Sequence, residues 1–189
     1  MVDKEAKQVV LEYVLGREEN LKTALLVCSA YEDLKKTIIS AFAEDLKREL
    51  EGALSAGWVV DFSPLINQPL DRWTGFSIWK ETWGTRYGIG VEAQRSGARD
   101  FIIGVYKRKE ERHIPDLKTA LDDKVTYGKS NDWWVWWQWV SDHYRNWDSE
   151  TTLVDMWCQR ESVVTYFRDQ IMAIKEVSET YIDRAIAGP

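Results

Sequence analysis

Residues 87–106 have the sequence YGIGVEAQRSGARDFIIGVY, and this stretch decides the fold. Two runs, Tyr87–Gln94 and Phe101–Tyr106, are rich in β-branched and aromatic residues, which is typical of β-strands. Between them lie Arg95, Ser96, Gly97 and Ala98. A short connection that contains glycine favours a hairpin over a crossover, so the stretch predicts two adjacent antiparallel strands.

Further strands are predicted on both sides of this hairpin. At Gly57 the spacing of apolar residues changes from nearly 3.6 to 2, which indicates a strand over Trp58–Ser63. A second strand is predicted around Phe76, Ile78 and Trp79, after a loop over Pro64–Arg72. Because consecutive strands follow on short connections, the sequence predicts an antiparallel meander.

The most apolar strand is predicted at Trp133–Val140, which has the sequence WWVWWQWV. Strict alternation puts Trp134, Trp136 and Gln138 on one face. The other face then carries Trp133, Val135, Trp137 and Trp139. A strand that is apolar on both faces is covered on both, so we expect helices on one side and a loop or a partner on the other.

Helices are predicted before and after the sheet. A short helix over Asp3–Leu15 ends at Gly16, and Asn20 is expected to cap the next one. That second helix has a long apolar stripe, predicted to be core, and it either breaks once or packs lengthwise against another helix. The stripe consists of Leu21, Leu25, Cys28, Tyr31, Leu34, Ile38, Phe42, Leu46 and Leu50. A short helix over Ile114–Leu121 and a long one over Glu161–Ala187 complete the prediction.

The predicted fold class is therefore α+β, with long N-terminal and C-terminal helices packed on an antiparallel sheet of about five strands. Residues 1–56 are expected to form a helical region and residues 57–189 the sheet with its later helices, in one compact domain overall. An apolar fraction of 44% against 30% charged residues allows both a core and a solvated surface.

Composition also bears on location. No apolar run approaches the roughly 20 residues that a membrane span needs, and Met1–Gln8 is charged, unlike a signal peptide. Cys28 and Cys158 are predicted to be buried free thiols, because neither has a His or Cys at ligand spacing. These features predict a cytoplasmic protein that has no contact with a membrane.

The charge is uneven along the chain. The net charge is −6, yet residues 72–112 carry nine Lys/Arg against five Asp/Glu, which gives +4. Tryptophans interleaved with cations are typical of surfaces that bind single-stranded nucleic acid, and equally of protein interfaces. The candidate binding residues are Arg72, Trp73, Trp79, Lys80, Trp83, Arg86 and Arg99. The alternative is that the tryptophans are buried and the cations solvate a sheet face.

A complete catalytic or metal site is not evident. Metal-dependent nucleases often place an Asp on one strand and Glu-x-Lys on the next. Here Asp61 and Glu92 lie on predicted strands, but Gln94 stands where the lysine is needed and cannot supply its charge. Asp116 with Asp122–Lys124 is too closely spaced for a site between strands. His113 and His143 have no ligand-spaced partner, so no metal or cofactor is predicted.

Residues 131–147, NDWWVWWQWVSDHYRNW, resemble the C-terminal region of one branch of the PD-(D/E)XK nuclease superfamily. The Tyr-x-Ile-Gly phrase at Tyr87–Gly90, the Ile-Gly phrase at Ile103 and Gly104, and the long helix that ends near Leu54 are also similar to that family. The resemblance covers about residues 20–185. Its closest part is Tyr144, Arg145, Asn146 and Trp147, interpreted either as a surface patch or, preferably, as a hydrogen-bonded corner that holds the last helix.

The resemblance implies a nuclease context without nuclease activity, because the family's catalytic Asp and Glu-x-Lys lie upstream of this region. The leading hypothesis is a non-catalytic recognition or accessory domain that binds DNA. One alternative is a protein-interaction or inhibitor protein of phage or defence type, including an oligomer formed through Trp133–Val140 or the long helices. The other is a divergent metal-dependent nuclease that uses Asp61 and Glu92.

Overall fold

The computed structural model describes residues 4–188, which form two compact units, one up to Thr37 and one from Ile38 onward. The first unit contains helix α1 (Lys4–Leu15), helix α2 (Glu18–Ser29) and the first turns of helix α3 (Tyr31–Ala53). The Asp3 start predicted for the first helix lies outside the described residues. None of the helices within residues 4–188 combines the length and apolar character that a membrane span requires.

The long apolar stripe is interrupted at Ala30, so of the two predicted alternatives the single break is the one observed. The prediction of Asn20 as a cap is wrong: α2 begins at Glu18, and Asn20 Nδ2 donates to the Tyr13 carbonyl oxygen at 2.8 Å. The stripe is core only in its second half, where Ile38, Phe42, Leu46 and Leu50 are buried. Leu21, Leu25, Cys28, Tyr31 and Leu34 are exposed instead.

The second unit contains the predicted antiparallel meander. Its sheet has the order β1 (Trp58–Asp61), β2 (Gly75–Lys80), β3 (Tyr87–Arg95), β4 (Arg99–Lys107) and β5 (Trp134–Trp139). Every neighbouring pair is antiparallel, and Tyr87–Arg95 pairs along its length with Arg99–Lys107. The α+β fold class and the β3–β4 hairpin are therefore confirmed.

The two faces of the sheet differ in burial. On one face, which we call the helix face, Ile78, Ile89, Val105 and Trp136 are fully buried. The opposite face, which we call the open face, carries partly exposed side chains at Ser77, Trp79, Glu92, Gln94, Tyr106, Trp137 and Trp139. An antiparallel sheet that packs on helices with one face only leaves the other for solvent or a ligand.

The face assignment of Trp134 from strict alternation is wrong. A register shift between Val105 and Tyr106 pairs Trp136 with Val105 but Trp134 with Tyr106. Directly paired residues point to the same face of a sheet, so Trp134 and Trp136 point to opposite faces. The irregularity therefore brings Trp134 beside Tyr106 on the open face, with their ring centroids 6.2 Å apart.

Four helices accompany the sheet in addition to α3. They are α4 (Ser63–Asn67), α5 (Pro115–Lys124), α6 (Glu150–Cys158) and α7 (Arg160–Ala187). The loop predicted over Pro64–Arg72 thus begins within a short helix, and the bounds of α6 were not predicted. Cys158, at the end of α6, is exposed, as is Cys28, so the predicted burial of both thiols is wrong.

Residues Tyr144–Trp147 form a hydrogen-bonded corner between the sheet and the helices. Trp147 is fully buried, stacks on Phe101 with centroids 3.8 Å apart, and donates from Nε1 to the Tyr144 carbonyl oxygen at 2.9 Å. Asn146 Oδ1 accepts the Asp100 backbone N–H, and the Arg145 carbonyl oxygen accepts that of Phe101. The cluster carries out the corner role that the sequence favoured over a surface patch.

Candidate nucleic-acid interface

A cleft of 630 Å³ opens on the open face of the sheet. Gly75 and Ser77 of β2 and Gly90 of β3 lie at its centre. Pro64 and Trp73 line it on the side that precedes β2, and Tyr106, Trp133 and Trp134 line it on the side of β4 and β5. We call it the aromatic cleft. Its volume lies within the range of sites that hold small ligands or single nucleotides.

Trp73 is held at the edge of the cleft by an unusual backbone conformation. Its φ of 67° lies in the left-handed region, which is rare for a bulky residue, and its backbone N–H donates to the Ala93 carbonyl oxygen at 2.9 Å. The indole is nevertheless 51% exposed. Backbone strain at an exposed aromatic residue is typical of a binding site, because the fold gains no burial from it.

Arg72 covers one face of that indole. Its guanidinium carbon lies 4.0 Å from the centre of the Trp73 ring, and Nε donates to the Gln94 carbonyl oxygen at 3.1 Å. The contacts of Arg72 within residues 4–188 are with the Trp73 ring and the Gln94 carbonyl oxygen, and no carboxylate pairs with it. The cation is thus fixed at the edge of the cleft, where it remains available to an anionic group.

Tyr106 lies flat across the sheet because Gly88 has no side chain. A methyl group at Gly88 would overlap the Tyr106 ring and hydroxyl group, so the absence of a side chain at Gly88 allows this close packing. Burial raises the pKa of the Tyr106 phenol, against the opposing effect of a hydrogen bond with Ser77. The hydroxyl group therefore stays protonated at neutral pH, and the ring presents a neutral wall to the cleft.

Among residues 4–188, Glu92 is the only one with a carboxylate that lines the cleft. Gln94 Nε2 donates to Glu92 Oε1 at 2.9 Å, and Oε2 has no partner within residues 4–188. Burial raises the pKa of Glu92, and the hydrogen bond from Gln94 offsets only part of this effect. A carboxylate without a cation in a half-buried site is costly for folding, so it is better explained by a ligand than by stability.

We expect Glu92→Gln to stabilise the fold at neutral pH by about 1 kcal/mol, a typical effect of removing an unpaired, partly buried charge. Because the pKa of the folded state is raised, the folded state binds the proton more tightly than the unfolded state. The cost of the charge is therefore absent below the ordinary pKa of 4.5 and grows as pH rises through the folded pKa.

Urea denaturation of both proteins at pH 4 and pH 7 measures this difference. The gain of the variant should be present at pH 7 and small at pH 4. An equal gain at the two pH values would contradict the assignment to the Glu92 charge.

Three cations stack on open-face tryptophans. Besides Arg72 on Trp73, Lys129 Nζ lies 5.3 Å from the centre of the Trp137 ring, and the Arg145 guanidinium carbon lies 5.2 Å from that of Trp139. Arg145 also pairs with Asp142 at 2.7 Å, whereas Lys129 has no acidic partner among the described residues. The open face thus combines aromatic surfaces with accessible positive charge.

Most of the candidate binding residues predicted from the sequence lie away from the aromatic cleft. Lys80 pairs with Glu179 and Asp183, both at 2.7 Å, and Trp83 is 1% exposed and donates from Nε1 to Asp183 at 2.6 Å. These two side chains anchor α7 to the sheet, so Trp83 has no exposed ring for a base. Trp79 is half-buried on the open face at the β1 side.

The two remaining arginines are engaged within the fold. Arg86 Nε donates to the Trp83 carbonyl oxygen at 3.4 Å, at the connection between β2 and β3. Arg99 lies beside the hairpin turn, where it donates to the Ser96 carbonyl oxygen and pairs with Asp148 at 3.5 Å. Of the seven predicted binding residues, only Arg72 and Trp73 meet at the aromatic cleft.

The structure adds cleft residues that the sequence did not single out, namely Tyr106, Glu92 with Gln94 in a binding role, Trp133 and Trp134. The sequence signal that could have identified them is the apolar character of both faces of Trp133–Val140. It predicts that a second layer covers the face of the strand opposite the helices. Within residues 4–188 the only loop that pairs with this strand is at Lys129, bridged to Trp137. Part of the strand is therefore not covered on this face by the described residues.

The candidate nuclease residues lie on the open face but apart from each other. Asp61 pairs with Ser77, and Glu92 pairs with Gly75, so strand β2 lies between the two carboxylates. Asp122, from the other near match, accepts from Trp136 Nε1 at 3.0 Å and from the Gly128 backbone N–H. No three His, Cys, Asp or Glu side chains of residues 4–188 converge on a point where a metal ion would fit.

Comparison of the chain with protein-family models, with curated proteins and with solved structures gives no match. The resemblance to the PD-(D/E)XK nuclease superfamily therefore stays a prediction from the residues that carry it. The aromatic cleft and its surrounding cations are the features of this chain that bear on function.

Proposed function

We propose that the unit from Ile38 onward is a non-catalytic recognition domain that binds single-stranded nucleic acid across the open face of its sheet. The observation that carries this proposal is the pairing of exposed aromatic rings with accessible cations. Trp73 and Trp133 are 51% and 57% exposed at the aromatic cleft, and Arg72 lies stacked on Trp73. Unpaired bases stack on such rings while the cations contact phosphate.

The charge of the chain sets the expected mode of binding. A net charge of −6 gives no long-range attraction to nucleic acid, so the affinity must come from stacking and a few phosphate contacts. If Arg72 and Lys129 contact one phosphate each, log K should fall with log salt concentration with a slope of about −1.4. A steep slope would indicate a larger basic surface than the open face offers.

We expect Trp73→Ala to weaken binding of an unstructured twelve-residue oligothymidine by about 1–3 kcal/mol, the usual value of one stacked base. The control is Trp157→Ala, because Trp157 is 53% exposed and also stacks with an arginine, Arg160, but lies on α6. Fluorescence anisotropy of labelled oligothymidine at low and moderate salt measures both variants, and magnesium with a gel readout detects cleavage. Equal losses in the two variants would contradict the interface.

A second candidate function is binding of a protein partner through the unit that ends at Thr37. Neither α1 nor α2 has a buried residue, and large apolar side chains are exposed on both. They include Val9, Val10, Leu11, Tyr13, Leu15, Leu25, Leu26 and Val27. Exposed apolar surface of this extent is typical of interaction sites. Oligonucleotide titrations without any response at low salt would favour this candidate.

A further inference from the structure

We infer that the aromatic cleft is a pocket for one guanine base, whose Watson–Crick edge is read by the Glu92 carboxylate. This inference rests on the proposed function, since it names the base that a bound strand would place in the cleft. It goes further because stacking alone accepts any base, whereas a carboxylate inside the cleft discriminates among them.

The polar groups of the cleft accept hydrogen bonds more than they donate them. Glu92 Oε2 is without a partner among residues 4–188, while Oε1 accepts one bond from Gln94. Lys107 also lines the cleft, but its ammonium donates to the carbonyl oxygen of Asp132 at 2.7 Å and to those of Arg108 and Lys109. A ligand that enters must therefore bring its own donors to satisfy the carboxylate.

Guanine is the base that supplies such donors side by side. Its N1–H and N2–H groups are parallel and match the two oxygens of one carboxylate. Adenine and cytosine each offer one amino group beside a ring acceptor, and thymine offers one N–H between two carbonyl oxygens, so each places a lone pair against the carboxylate. Glu92 thus favours guanine and disfavours the other three.

The guanine O6 acceptor also needs a donor. Asn131 Oδ1 accepts the backbone N–H groups of Trp133 and Trp134, at 2.9 and 3.0 Å, which fixes the orientation of this amide. Its Nδ2 group is then the donor that Asn131 has left for a ligand, and Asn131 lines the same cleft. Trp73, Trp133 and Trp134 supply aromatic surfaces for the purine ring.

The charge at the edge of the cleft favours a nucleotide over a cationic peptide as the ligand. Aromatic rings around one carboxylate also suit a methylated ammonium or a guanidinium group. Arg72, however, lies on Trp73 without an acidic partner in the described chain, so it repels a cation that approaches there and attracts a phosphate. A guanine nucleotide satisfies both Glu92 inside and Arg72 outside.

The test compares twelve-residue oligothymidines that carry one central guanine, inosine or adenine, with binding measured by anisotropy. We expect guanine to bind about tenfold or more tightly than adenine, with inosine between them because it lacks the N2 amino group. Glu92→Gln should bring the guanine-to-adenine affinity ratio close to one. Glu176→Gln, on an exposed glutamate of α7, should keep the ratio of the wild type.

Guanosine monophosphate alone, followed by intrinsic tryptophan fluorescence, separates the two proposals. Equal binding of all oligonucleotides would overturn the guanine pocket and leave the proposed function standing. Saturable binding of the mononucleotide without binding of any oligonucleotide would keep the pocket and overturn the proposed function. A response to tetramethylammonium or methylguanidinium, but not to the mononucleotide, would identify a cation site and overturn the inference.

Discussion

Replacing Trp147 with alanine is expected to lower the free energy of unfolding by about 3–5 kcal/mol, the usual cost of truncating a buried tryptophan. Trp147 is fully buried where the sheet meets α3 and α7. Its ring stacks on Phe101 and meets Phe42 and Phe167 edge-on, with centroids 5.3 and 5.6 Å away. The variant loses these contacts and the bond from Nε1 to the Tyr144 carbonyl oxygen.

Urea denaturation followed by circular dichroism measures this loss. A typical domain is stable by only about 5–15 kcal/mol, so a loss of this size brings the variant close to unfolding. Far-ultraviolet circular dichroism without denaturant records any unfolded fraction. Trp157→Ala, at an exposed site, should change the stability by less than about 0.5 kcal/mol. Similar transitions for the two variants would contradict the role of the corner.

The sheet could be predicted from the sequence because its signals are local. The Arg95–Ala98 turn and the short connections fix which strands are neighbours, and strands joined in this way pair antiparallel. A break in the long apolar stripe was one of two predicted alternatives for a similar reason, since helices of about eight turns are rare in globular proteins. Its position at Ala30 has no such signal, because alanine is a good helix former.

The sequence predictions were wrong where a contact between residues distant in the sequence determines the orientation or burial of a side chain. Strict alternation misplaced Trp134, because the irregularity opposite Tyr106 depends on how two strands meet. Cys28 was expected to be buried because it belongs to the apolar stripe of the second predicted helix. Such a stripe shows which side of a helix is apolar, but not whether another element covers that side.

The candidate site was predictable only in part. Arg72 and Trp73 were identified because they are adjacent in sequence and both suit nucleic acid. Lys80 and Trp83 also combine a cation with a nearby tryptophan. Their partners Glu179 and Asp183, however, are about a hundred residues away in the sequence. The role of Glu92 was hidden for a related reason: only the folded sheet shows that no Lys or Arg of residues 4–188 pairs with its carboxylate.

The aromatic cleft requires that β2 and β3 lie close together, and the absence of a side chain at Gly75 allows this approach. Gly75 pairs directly with Glu92, and a Cβ atom there would overlap the Val91 carbonyl oxygen and lie 3.0 Å from the Glu92 Cα atom. These are backbone atoms of the neighbouring strand, so no side-chain rotation relieves the overlap. The two strands must separate locally, at the centre of the cleft.

We therefore expect Gly75→Ala to cost about 2–3 kcal/mol of unfolding free energy, at the upper range of overpacking effects, and to weaken oligonucleotide binding because Glu92 moves with its strand. Gly52→Ala is the matched control. Gly52 lies in α3 with nothing within 4 Å of its added methyl group, so this change should stabilise the helix by about 0.5–1 kcal/mol.

Denaturation and anisotropy on the same two samples separate the consequences of the Gly75 change. If the pairing of β2 and β3 positions Glu92, Gly75→Ala should lower both the stability and the affinity for the oligonucleotide. Unchanged affinity in a destabilised Gly75→Ala protein would show that strands β2 and β3 do not form the binding surface. The ligand would then have to lie toward Trp137 and Trp139, where Lys129 and Arg145 supply the positive charge.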